Sequence, residues 1–387
     1  MSFVVLPPQT TTSSAVGSSG LNHGNVLVGS SSSSLEGNSS DHRPNVLFLG
    51  FNQDSSLIGY GTDRGFKIIS CLYGHYKNEF DVKFIDGGIG YVGFMDGDKD
   101  MVALVGGGYR PAFSKNKLIF YNFKEKKVVN ELLCPRYVIS VHSRQDFFVA
   151  VSEEMIVSFD MQTRKQIHSW KTGFNTRGLC SMVYQKDQQQ FLLAFPDETV
   201  GSVKLVRICS LSYKIVEEKV INAHESSIRC FQLSYDGSLL ATASEKGTLI
   251  RLFHTSSGEK KEEFRRGNTT STIYSICFSH DNNYVACVSS NGTLHIFVVD
   301  LESWKNTRKI TSNSWSDWFN NLYKAEATSV FKQRNIDGVA ICSFDPNDES
   351  VMLCTDKGVY MNLKFDWSCS SGTLNEEAVE HQMANID

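Results

Sequence analysis

Ser234-Tyr-Asp-Gly-Ser-Leu-Leu-Ala-Thr-Ala-Ser-Glu-Lys-Gly-Thr-Leu249 and Ser279-His-Asp-Asn-Asn-Tyr-Val-Ala-Cys-Val-Ser-Ser-Asn-Gly-Thr-Leu294 are two copies of one pattern, 45 residues apart. Each reads as a polar turn around an Asp, a short apolar run too brief for a helix, and a second turn ending on Gly before the next strand. A third copy runs from Phe51 to Gly65 and a fourth from Asp345 to Gly358. Elsewhere, short apolar segments alternate with turn signals and helical periodicity is scarce. A β-rich repeat of about 40–45 residues is the signature of a propeller blade, one sheet of four short strands. With an irregular stretch at 301–330 set aside, the repeat region divides into seven blades of roughly 42 residues. The expected fold is all-β: a seven-bladed β-propeller over residues 44–367.

Outside that region the composition changes. Residues 1–43 are dominated by Ser, Gly, Asn and Thr, including Ser30 to Ser34 in one run, and they hold too little apolar surface to fold alone, so a disordered tail is expected. A second disordered tail is expected at 368–387. Over the 387 residues, 41% are hydrophobic and 21% charged, ordinary for a globular protein with a sizeable core. The net charge of −4 provides no global basic field, so nucleic acid is not an expected partner and any anion site must be local. The ten cysteines show no Cys-x-x-Cys pair and no His at zinc spacing. They read as reduced core residues of a cytosolic or nuclear protein, with no metal and no cofactor expected. There is no apolar run of membrane-spanning length and no signal-peptide layout, so contact with a membrane would be peripheral.

Between the two best copies lies Phe264-Arg265-Arg266-Gly267. Successive side chains of an extended chain point to opposite faces, so Arg265 and Arg266 cannot serve one pocket. A rigid guanidinium fork suits phosphate, and two forks splayed apart predict two neighbouring anion sites. The Leu positions of the flanking copies are 45 residues apart, but the next Phe positions, Phe253 and Phe297, are 44 apart. The extra residue suggests a β-bulge that would let Arg251 share a face with Thr248, as His295 shares one with Thr293. Site one would combine Arg265 with Arg251, Thr248, Ser244 and His224. Site two would combine Arg266 with His295, Thr293 and Ser289. For each hydroxyl and each His a structural role stands beside this one: Ser and Thr form turns, and His224 occupies a place where propeller repeats use a turn-bracing His.

In the 301–330 stretch, Trp315, Trp318, Phe319, Leu322 and Tyr323 fall at helical spacing and form an aromatic face beside Lys305, Arg308 and Lys309. This suits the headgroup level of a bilayer, and equally a helix packed on the propeller or on a partner protein. Leu104-Val-Gly-Gly-Gly108 lacks the Gly-Lys-Ser/Thr ending of a phosphate loop and reads as a tight turn. No Ser/His/Asp order or carboxylate pair indicates an enzyme.

The sequence resembles the PROPPIN family of seven-bladed propellers. The resemblance rests on Phe264-Arg-Arg-Gly267, Ala243-Ser-Glu-Lys-Gly-Thr-Leu-Ile-Arg-Leu-Phe253, Leu294-His-Ile-Phe297, Ala103-Leu-Val-Gly-Gly-Gly108 and Arg177-Gly-Leu-Cys180. At Ser289-Ser-Asn-Gly292 it departs from members that carry Lys before the Gly. The resemblance implies that Arg265 and Arg266 hold separate headgroups of phosphatidylinositol 3-phosphate or the 3,5-bisphosphate, and that 301–330 is a membrane-inserting loop. It further implies an adaptor on phagophore and endosomal membranes that recruits autophagy proteins, among them a lipid-transfer protein, with 109–117 as the candidate docking loop. The rival reading is a propeller scaffold with protein partners and no lipid.

Overall fold

The turn-strand-turn pattern recurs because every blade needs it at the same place. A computed structural model describes residues 3–6, 44–71, 77–83, 87–300, 331–347, 350–364 and 381–382. Seven antiparallel sheets follow one another along the chain, each with its strands in sequential order. Their inner strands begin at Val46, Gly88, Ser140, Ser181, Ile228, Ile273 and Ala340. Successive inner strands touch around a ring, and the seventh sheet meets the first. The expected all-β, seven-bladed propeller is the fold observed. The widest interval holds the 301–330 insertion, which leaves the sixth blade after Thr293–Val298 and returns at Phe331–Gln333. The helix expected there, with Trp315, Trp318, Phe319, Leu322 and Tyr323, lies outside the described residues.

Position within a blade explains the hydrophobic pattern. Every residue of the second strands Leu239–Ser244 and Tyr284–Ser289 is buried. Neighbouring blades cover both faces of such a strand, so its sequence is a run of apolar and small side chains instead of a strict alternation. Outer strands face solvent, and Lys127–Leu133 is exposed at every position but Leu132. The turn that opens each copy is held by its own side chains. Asp236 Oδ1 accepts from Ser234 Oγ at 2.6 Å and from the Ser238 amide at 2.9 Å. Asp281 Oδ1 accepts from Ser279 Oγ and the Asn283 amide at the same two distances. The residues between, Tyr235 and His280, stack with ring centroids 4.0 Å apart and tie the two turns together.

Both expected tails are interrupted. Phe3–Val5 forms a fifth strand on the inner edge of the first blade, in register Phe3↔Gly50, Val4↔Leu49 and Val5↔Phe48. The Phe3 ring stacks on Phe48 at 6.1 Å and meets Tyr91 edge-on at 5.9 Å. Three apolar residues beside an open strand edge gain both hydrogen bonds and burial. At the other end His381–Gln382 pairs with Val359–Tyr360 as the outer strand of the seventh blade. The glycine stretch also differs from expectation. Gly106 and Gly107 end the strand Met101–Gly107, and only Gly108, at φ +74, begins the turn. A Cβ on Gly106 would lie 2.0 Å from the carbonyl oxygen of Phe113, so the bare backbone lets the 110–113 loop fold back beside the strand. The nine described cysteines are free thiols, all buried except Cys209, which is half-buried.

Candidate functional site

Phe264 fixes the aim of the Arg pair. It is buried in the outer strand Lys260–Arg265 of the fifth blade, and its ring stacks on Phe297 of the sixth blade with centroids 4.8 Å apart. Alternation then turns Glu263 and Arg265 to the opposite face, toward the fourth blade. The register agrees: Glu263 lies opposite Arg251, and Arg251 opposite Thr242. Arg251 donates from Nη1 to the carbonyl of Ala223, just past the fourth blade's outer strand, at 2.7 Å. Arg266 goes the other way. Its Nε donates to the Gly247 carbonyl at 2.8 Å and its Nη2 to the Thr269 carbonyl, beside the Cys287 thiol of the sixth blade. It is buried, whereas Arg265 is half-buried.

On the fourth-blade face the structure brings together Arg251 and His224, with Ser244 and Arg265 placed there by alternation. Arg251 Nε is paired with Glu263 Oε2 at 2.7 Å, and Lys260 Nζ reaches the same oxygen at 3.3 Å. Burial pushes the Glu263 carboxyl up, but its bonds to Arg251 and Lys260 outweigh this and hold it below the usual range. A carboxylate therefore already engages Arg251, which makes that guanidinium a brace. His224 Nε2 lies 3.0 Å from Thr242 Oγ1. Burial, reinforced by the Arg251 charge, lowers the His224 pKa to about 4, so its ring is neutral at pH 7.

The extra residue in this copy is not a bulge. The register from Leu239↔His254 to Thr242↔Arg251 is unbroken, and the hairpin between Ser244 and Leu249 is one residue longer than that between Ser289 and Thr293. Thr248 sits in that longer turn. Its carbonyl accepts the amides of Arg266 at 2.9 Å and Gly267 at 3.4 Å. A turn absorbs an added residue without breaking a ladder hydrogen bond, which a bulge inside the strand would do. Arg251 consequently stands opposite Thr242 as His295 stands opposite Cys287.

On the sixth-blade face Ser289 Oγ and Thr293 Oγ1 are 3.1 Å apart, and Thr293 Oγ1 lies 3.2 Å from His295 Nε2. Thr293, His295 and Phe297 alternate onto one side of their strand, and Phe297 is the ring that meets Phe264. This hydroxyl-imidazole chain thus faces the fifth blade, as Arg266 faces the sixth. Burial lowers the Arg266 pKa from its usual value, with the Cys287 thiol opposing, and a guanidinium so shifted stays charged.

The partners not anticipated from sequence include Thr242, Glu263 with Lys260, and the carbonyls of Ala223, Gly247 and Thr269. Thr242 was within reach, since it lies two residues before Ser244 and so on the same face. The carbonyls carry no sequence signal. Among the described residues no group of three or more His, Cys, Asp or Glu could hold a metal, and no helix is long and apolar enough to cross a membrane.

A family model described as PROPPIN matches residues 46–337, a span that contains all seven inner-strand starts but the last. The chain belongs to the PROPPIN family. Its relatives include autophagy-related protein 18 of Scheffersomyces stipitis, 32% identical over 302 residues, or 68% of this chain and 52% of that protein. SVP1-like protein 2 of Neurospora crassa is 35% identical over 69% of this chain and 59% of its own length. Autophagy-related protein 18 of Dictyostelium discoideum is 29% identical over 84% of this chain and 90% of its own length. This chain thus spans about half to three fifths of the first two relatives. Among solved structures, Kluyveromyces lactis Hsv2 superposes with a TM-score of 0.69 at 21% identity, covering 86% of this chain and 97% of that one. KlAtg21, solved in complex with the coiled coil of AgAtg16, gives a TM-score of 0.66, also at 21% identity, covering 84% and 96%. At such identities the likeness is one of fold.

Proposed function

We propose that this protein is a peripheral membrane adaptor that holds one phosphoinositide headgroup on each face of its fifth blade, Arg265 toward the fourth blade and Arg266 toward the sixth. The observation that carries the reading is the burial of Phe264 against Phe297. It locks the strand so that adjacent guanidiniums diverge, each toward a separate set of hydroxyl and imidazole groups. Ser244 and His224 flank the first, and Ser289, Thr293 and His295 the second, while Arg251 and Thr248 brace the first site. Phosphatidylinositol 3-phosphate and the 3,5-bisphosphate are the proposed lipids. Charge-assisted hydrogen bonds to such phosphates contribute about 1.5–3 kcal/mol each, and two sites on one rigid rim multiply through effective concentration.

The relatives named autophagy-related protein 18 support a place in autophagosome formation, on phagophore and endosomal membranes met from the cytoplasm. The KlAtg21 complex supports a coiled-coil segment of an autophagy protein as one partner. A lipid-transfer protein, docking at 109–117, is a second proposed partner. Trp315, Trp318, Phe319, Leu322 and Tyr323 are proposed to insert into the bilayer. The protein acts by binding and recruitment, with no chemistry of its own.

Sedimentation with vesicles tests this. The unchanged protein is expected to pellet with vesicles carrying phosphatidylinositol 3-phosphate and not with vesicles of phosphatidylcholine alone. Combined Arg265→Ala and Arg266→Ala should abolish pelleting, and Trp315→Ser with Trp318→Ser should weaken it. Undiminished pelleting of a folded double-Arg variant refutes the assignment and favours the lipid-free scaffold.

A further inference from the structure

Arg266 is met by a backbone carbonyl of its own loop, that of Thr269. The segment 266–272, Arg-Gly-Asn-Thr-Thr-Ser-Thr, connects the fifth blade to the sixth, and Thr269 in it is exposed. The Thr269 carbonyl accepts from Arg266 Nη2, which pins this residue against the guanidinium. Its Oγ1 lies 3.4 Å from Asn291 Nδ2, in the turn between Ser289 and Thr293. Thr269 therefore joins Arg266, through its carbonyl, to the turn between Ser289 and Thr293, through its hydroxyl. Neither 266–272 nor 289–295 contains an Asp or a Glu, so no carboxylate of these two loops opposes added negative charge.

We infer that Thr269 is a phosphorylation site whose phosphoryl group pairs with Arg266 and excludes a lipid headgroup from it. This rests on the headgroup reading of the Arg266 face. In the modification, Thr269 Oγ1 attacks the γ-phosphorus of ATP and the bond to the ADP oxygen breaks. ADP leaves, and the hydroxyl proton passes to the base of the protein kinase. The product carries close to two negative charges at pH 7 and three acceptor oxygens. Its tether to the loop that Arg266 already grips makes the contact intramolecular, so a lipid phosphate has to compete against a ligand at high effective concentration. The Arg265 face lies on the other side of the blade and keeps its own site.

The test uses the full chain with phosphothreonine encoded at position 269, beside the unmodified chain and an Arg266→Ala version of each. Two readouts separate this inference from the one beneath it. In vesicle titrations with phosphatidylinositol 3-phosphate, phosphorylation is expected to weaken binding about tenfold, and phosphatase treatment to restore it. In a ³¹P titration of the phosphoprotein, with no lipid present, the second phosphate pKa should fall below its value in denaturing urea. That difference should vanish with Arg266→Ala. Unchanged vesicle affinity, or a phosphate that titrates alike in folded and denatured protein, overturns the inference. If the unmodified chain fails to bind vesicles, the headgroup reading falls, and the ³¹P titration alone decides whether the phosphoryl group reaches Arg266.

Discussion

Replacing Arg265 and Arg266 one at a time should cost stability unequally, because Arg266 is buried and Arg265 only half-buried. Arg266 is buried and satisfies two carbonyls, those of Gly247 and Thr269. Truncation to Ala leaves both acceptors without their charged donor, the Gly247 carbonyl buried and the Thr269 carbonyl part-buried, and a buried orphan costs about 1–3 kcal/mol. Allowing for water entering the opened space, the expected loss for Arg266→Ala is about 2–4 kcal/mol. At about 2 °C per kcal/mol for a domain of this size, the melting temperature should drop by roughly 4–8 °C. Arg265 is half-buried at the end of its strand, where solvent-screened pairing contributes about 0–1 kcal/mol, so Arg265→Ala should shift the midpoint by no more than about 2 °C. Differential scanning calorimetry of the two variants beside the unchanged protein reads the difference directly. Equal shifts, or a larger one for Arg265→Ala, would show that Arg266 is not the structural member of the pair.

Two more outcomes follow from the same geometry. A Cβ on Gly247, at φ +58, would lie 1.8 Å from the carbonyl oxygen of Ser271, whereas a Cβ on Gly267 would meet nothing within 4 Å. Gly247→Ala should therefore cost about 3 kcal/mol or more from left-handed strain and overlap, and Gly267→Ala less than about 0.5 kcal/mol, as read from urea midpoints. Burial is the main cause that lowers the His224 pKa to about 4 and that of His142 to about 3. The unfolded chain thus takes up protons first as pH falls. Stability is full above pH 6.5 and is lost as pH drops toward these values, by about 2 kcal/mol per imidazole at pH 5 relative to pH 7. His142→Gln should flatten that slope in denaturation series at the two pH values. A stability profile flat between pH 7 and pH 5 would contradict the buried neutral imidazoles.

The repeat and the blade number were legible in the amino-acid order, because each depends on local rules. Asp236 and Asp281 close turns with neighbours a few residues away, and alternation along a strand follows from the backbone alone. What turns each Arg toward the neighbour assigned to it was not legible: it depends on Phe264 finding Phe297, a contact between blades that no local pattern encodes. The same limit applies to Gly247 and Thr269, which meet Arg266 through backbone carbonyls that every residue carries alike. It applies also to Glu263, whose charge becomes a brace only once the outer strand pairs with Arg251. Phe3–Val5 shows the converse, three apolar residues within a Ser-rich stretch that become a strand because the ring leaves an open edge beside them. Short-range chemistry specified what each blade is, and the closing of seven of them into a circle decided which side chains share a cleft.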